Sequence, residues 1–66
     1  MKPQTFAIHT PDCITGTWEP LASNFTFHEL IDYLHANKLV IYHVMDPEPW
    51  GDYERIICLC VPELPR

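Results

Sequence analysis

Glycine is scarce in this 66-residue chain, where Gly16 and Gly51 are the two occurrences and Ser23 is the single serine. No glycine-rich loop can therefore cradle a phosphate, and Ser23 lacks the flanking glycines of a nucleophile elbow, so the commonest phosphoryl- and acyl-transfer motifs are excluded. Positive charge is also sparse. Lys2, Lys38, Arg55 and Arg66 stand against nine acidic residues, for a net charge of −5. Such a surface repels nucleic acid and anionic membrane and favours a basic partner. No apolar run approaches the ~20 residues that span a bilayer, and Met1-Lys2-Pro3-Gln4 is not followed by the apolar stretch of a signal peptide. The expectation is a cytoplasmic protein with no membrane contact and no direct nucleic-acid contact. Three cysteines make an odd number, which argues for free thiols in a reducing compartment rather than a disulfide framework.

What the chain does contain is one well-marked helix, within residues 24–37. Thr26 followed three residues later by Glu29 is a capping box, and Phe25 with Leu30 occupies the two positions of a hydrophobic staple. Phe27, Leu30, Ile31 and Leu34 recur at i, i+3, i+4 and i+7, which makes one apolar face, while His28, Asp32 and His35 share the other. Asn37, tolerant of the left-handed conformation, and Lys38, favourable at the negative end of the helix dipole, mark its end.

Strands are read on either side of it. Residues 4–10 alternate, with Phe6 and Ile8 on one side and Thr5, Ala7 and His9 on the other. Residues 14–19 form a weaker second strand, interrupted by Gly16 and ended by Pro20, with residues 21–24 leading into the helix. Residues 39–45 are rich in β-branched and aromatic side chains, and residues 53–61 make the last strand after a seven-residue connection, 46–52. The resulting fold class is α+β: a small antiparallel sheet of three to four strands with one α-helix packed on one face, in a single domain spanning residues 1–66 with extended, proline-containing ends. The tail, 62–66, reads as extended and frayed.

Both faces of that sheet are apolar in the pattern. Leu39, Ile41 and Met45 fall on one side of their strand and Val40, Tyr42 and Val44 on the other; Ile57, Leu59 and Val61 oppose Ile56, Cys58 and Cys60. One helix covers one face, so the second is either covered by the chain ends or left as a homodimer or partner surface.

The connection 46–52 gathers Asp46, Glu48 and Asp52, with Glu54 just beyond, around Trp50, and Pro47 and Pro49 stiffen it. Proline lowers the ordering cost of binding, tryptophan is enriched among interface hot spots, and acids steer toward lysine and arginine. Asp46, Glu48, Trp50, Asp52 and Glu54, with Tyr42 on the sheet face, are thus the candidate partner-binding residues. The alternative is that Trp50 folds over the sheet edge as core, since so small a domain needs its large apolar side chains.

Metal and catalytic readings rest on less. His28, Asp32 and His35 lie along one helical face, and Cys58 with Cys60 lies on one side of a strand to which His9 and Cys13 could add ligands. Neither set has paired Cys-x-x-Cys knuckles or an evident fourth ligand with supporting groups. Buried cysteines acting as small hydrophobes, a solvated polar stripe, and His43 as an ordinary sheet histidine are the simpler accounts. A nucleophile pair of Cys13 and His9 lacks an orienting third group, and no cofactor, metal or catalytic residue is assigned. The sequence therefore reads as a non-enzymatic, acidic protein-binding module that occupies a basic surface of a protein partner. In that profile it resembles the small inhibitors encoded by phages and mobile elements, including anti-defence proteins such as anti-CRISPRs. A zinc-stabilised structural or regulatory domain and a homodimer of unassigned role are the competing readings.

Overall fold

The computed structural model describes residues 3–64. In chain order its elements are β1 (Gln4–Pro11), β2 (Trp18–Phe25), α1 (Phe27–Ala36), β3 (Leu39–Val44), β4 (Glu48–Trp50) and β5 (Tyr53–Pro62). They form a five-stranded mixed sheet in the order β2-β1-β5-β3, with β4 pairing the start of β5. The architecture is α+β, with α1 between β2 and β3 packed on the sheet. Five strands are present rather than three to four, and one pairing, β1 with β5, is parallel while the rest are antiparallel. Met1, Lys2, Pro65 and Arg66 lie outside the described residues, so the expectation for the tail reaches the structure only through Leu64.

β5, the last of the described strands, is the central one. β5 pairs β1 along one edge and both β3 and β4 along the other, and it supplies Ile56, Cys58 and Cys60 to the core. Its alternation follows the sequence pattern: Phe6 opposes Ile56 and Ile8 opposes Cys58 beneath the helix. Ala7 opposes Ile57 and His9 opposes Leu59 on the other face.

α1 starts as its sequence dictates. The Glu29 amide donates to Thr26 Oγ1 at 3.2 Å, and the Thr26 amide donates to Glu29 Oε1 at 2.9 Å. Leu30 and Leu34 are fully buried against the sheet, each contributing roughly 1.5–3 kcal/mol of transfer free energy. Ile31, Tyr33 and Phe25 close around them. Phe27 departs from its expected core place. It is 58% exposed and meets Phe6 edge to face, with ring centroids 5.9 Å apart. The helix stop also differs in detail: Asn37 is not left-handed, and its side-chain amide instead donates to Tyr33 O at 2.9 Å while Lys38 takes the positive φ of 52°.

The second strand lies later than the pattern indicates. Residues 12–17 form the β1–β2 connection, held by Asp12, whose carboxylate accepts from the Ile14 amide at 2.8 Å and whose carbonyl accepts from the Gly16 amide at 2.8 Å. The strand itself runs through Pro20, which a sheet edge tolerates because a missing N–H costs nothing there. Two register shifts against β1 bend it, and Asn24 at φ 65° accommodates one of them. β3 carries a third irregularity. Ile41 opposes Cys60 but His43 opposes Leu59, so Tyr42 is an extra residue. Beyond it the faces exchange: Val44, opposite Cys58, joins Ile41 on the helix side, and His43 moves to the other side, which corrects the simple alternation read from residues 39–45.

Candidate functional site

The connection 46–52 is not a plain loop. Glu48, Pro49 and Trp50 pair with Arg55, Glu54 and Tyr53, making a β-hairpin whose two-residue turn is Gly51-Asp52. Gly51 sits first in that turn at φ 62°, where glycine alone is unstrained. Trp50 stays 44% exposed, and the Arg55 guanidinium lies over its ring, 4.7 Å from the centroid. The indole is thus not a core residue, and a cation–π contact of about 0.5–1 kcal/mol favours its position beside Arg55. Asp46, Glu48 and Asp52 are exposed, Glu48 on the same face of the hairpin as Trp50 and Asp52 in its turn. Glu54 is not brought into that group. It alternates with Arg55, the register partner of Glu48, and so lies half-buried on the helix side.

Tyr42, the bulged residue of β3, is 70% exposed. Its ring stacks on Trp18 with centroids 5.8 Å apart and planes 28° apart. β2 and β3 are the outermost strands of the main path, so this pair leans across the open side of the sheet at one end while Arg55 and Trp50 cover it at the other. Between them run Ile57, Leu59 and Val61, with Val40 opposite Val61. Sequence reasoning missed Trp18 and Arg55. Both depend on strand register, which no local pattern in the sequence announces.

The open side also holds two unsatisfied polar groups. Thr5 and Arg55 are register partners on β1 and β5, and Thr5 Oγ1 and Arg55 Nε are buried without a hydrogen-bond partner. Each such orphan costs about 1–3 kcal/mol.

The cysteine and histidine candidates are dispersed. Cys58 and Cys60 are buried under the helix, His9 lies on the opposite face, and Cys13 is exposed in the β1–β2 connection. Burial raises both buried thiols, and the neighbouring Cys58 adds to the effect on Cys60, which is pushed up to about 11. Such thiols are poor ligands and nucleophiles near neutral pH. His28, Asp32 and His35 are exposed on the helix. Among the described residues no three histidine, cysteine or acidic side chains converge on a common point suited to a metal. A shallow groove of about 370 Å³ between α1 and β3, lined by Leu34, His35, Leu39, Ile41 and Glu63, is wide open to solvent, and it lacks the convergent polar groups that orient a small ligand. Among the described residues no helix is long and apolar enough to cross a membrane.

Comparison with protein-family models, with curated proteins and with solved structures finds no match to this chain. The residues themselves are therefore the whole basis of a functional reading.

Proposed function

We propose that this chain is a small acidic protein-binding module that occupies a basic surface of a partner through its β4–β5 hairpin. The observation that carries the reading is the exposed Trp50, favoured in its position by Arg55 and accompanied by the exposed carboxylates of Asp46, Glu48 and Asp52 on a backbone stiffened by Pro47 and Pro49. An indole already biased toward one position loses less freedom on docking, and these acids steer cationic side chains toward it. Blocking a nucleic-acid-binding groove is the mode of action that fits an acidic plug of this size, in the manner of the phage- and mobile-element-encoded inhibitors that the sequence profile resembles.

The test is affinity capture from the native host with mass spectrometry, performed in parallel with Trp50→Ala and with Asp46→Asn combined with Asp52→Asn. The reading expects a basic protein whose recovery drops at least ~10-fold with either variant, in line with the cost of losing an interface hot spot. Capture indifferent to both variants and to added salt would remove it.

A further inference from the structure

The sheet has one face covered by the helix and one with no layer over it beyond its own side chains, and the amounts involved can be set against what a monomer of this size exposes. The accessible surface is 5111 Å², whereas a folded monomer of 7.7 kDa exposes about 4300 Å². The excess, roughly 800 Å², to which the exposed 12–17 connection and tail also contribute, is comparable to one partner's share of a standard-sized protein interface. The shape agrees. The radius of gyration is 12.4 Å and the shortest principal extent is 15 Å, against a radius of about 11 Å for a domain of this length. The side chains buried to under a tenth are few: Ala7, Ile8, Leu30, Leu34, Ile56, Cys58 and Cys60.

Charge then distinguishes the occupant. Glu19, opposite Thr10, and Glu54 both fall on the helix side of the sheet; Glu29 and Asp32 are on the helix itself. Away from the hairpin the strands of the helix-free face carry Trp18, Val40, Tyr42, Ile57, Leu59 and Val61 and no acid, while Glu48 and Trp50 lie at the hairpin end of the same face, with Glu48 opposed by Arg55. Away from that hairpin end a basic partner finds no matching carboxylates. A second copy of the chain finds a neutral, apolar surface there, with the helix-side acids turned away.

We infer that a second copy of this chain docks on the helix-free face, sheet against sheet, centred on Val40, Tyr42, Leu59 and Val61 and rimmed by Trp18. Two such layers packed about 10 Å apart form the core of a β-sandwich, with one α1 on each outer side. This inference does not rest on the hairpin reading, because its centre at Val40, Leu59 and Val61 lies at the far end of β5 from the Glu48–Trp50 pairing with residues 53–55.

Sedimentation velocity and light scattering on the full chain from about 1 to 200 μM test it, with wild type, Tyr42→Asp, Val40→Lys and, as the helix-side control, Phe27→Asp. The expected result is a particle of twice 7.7 kDa for wild type and for Phe27→Asp. Tyr42→Asp and Val40→Lys should dissociate at least ~10-fold more readily, with the helical circular dichroism retained at high concentration. A wild-type thermal midpoint that climbs with protein concentration supports the dimer even if a variant fails to fold. A monomer throughout the range, or a dimer broken by Phe27→Asp and indifferent to Tyr42→Asp and Val40→Lys, would overturn it.

Discussion

Trp18 and Tyr42 stack at 5.8 Å although they belong to the two outermost strands of the main sheet path. Their contact spans the sheet on its bare side and ties the end of the β1–β2 hairpin to β3, so it should couple the two in stability. Aromatic pairs contribute about 0.5–1.5 kcal/mol beyond the area they bury. A double-mutant cycle of Trp18→Ala and Tyr42→Ala, read by urea denaturation, is expected to return a coupling energy in that range. Strict additivity would mean that the stack does not hold the sheet together.

The polar orphans give a prediction of the opposite sign. Thr5 Oγ1 is buried with no partner beside the equally unpartnered Arg55 Nε. Thr5→Val keeps the shape of the side chain and removes the unsatisfied hydroxyl, so it is expected to raise stability by up to ~1 kcal/mol, with an unchanged denaturant slope. A loss of stability of that size would show the hydroxyl to be hydrogen-bonded in solution.

Backbone strain can be tested at the helix stop. Lys38 adopts φ 52° with no glycine to ease it, and a left-handed residue costs about 1–2 kcal/mol. Lys38→Gly should therefore stabilise the protein, by roughly 0.5–1 kcal/mol once the greater freedom of glycine in the unfolded chain is subtracted. Thr26→Ala, at the other end of α1, should cost about 1 kcal/mol through loss of the capping box. Chemical denaturation of the two variants reads both effects.

The three thiols should separate by reactivity. Cys13 is exposed, whereas Cys58 and Cys60 are buried and both are raised by desolvation, Cys60 to about 11 from 9.0. At pH 8 a thiol reagent is expected to modify Cys13 rapidly in the native protein and the other two only on unfolding. The folded protein holds the Cys60 proton to higher pH than the unfolded chain does. The stability it confers is thus complete below about pH 9 and is lost as pH rises through about 11. A denaturation series across that interval, compared with Cys60→Ala, checks the slope.

The elements most legible in the sequence are those fixed by neighbours along the chain. The α1 start is written in Thr26, Glu29, Phe25 and Leu30, and the two faces of β5 in its strict alternation. β2 was obscured because Pro20 and Gly16 read as breakers, while the strand that forms lies at an edge where proline is tolerated and where two bulges blur the period. The exchange of faces after Tyr42 was invisible for the same reason, since a single extra residue reverses all that follows. The parallel pairing of β1 with β5 joins distant parts of the chain, and no local pattern encodes it. At the candidate site, the acids and Trp50 were readable as a group, but Glu54 left it once Glu48–Trp50 became a strand. The Arg55 cap and the Trp18–Tyr42 stack depend on register and appear only in three dimensions.

The hairpin reading turns on charge, and the most direct measurement is the association rate of the captured partner as a function of salt. Wild type and the Asp46→Asn/Glu48→Gln/Asp52→Asn variant would be compared by stopped flow from about 20 to 500 mM sodium chloride. Electrostatic steering predicts a wild-type rate that falls at least ~10-fold across the range, with a distinctly shallower dependence in the variant. A rate independent of salt and equal in the two proteins would contradict the proposal that this acidic tip seeks a basic surface.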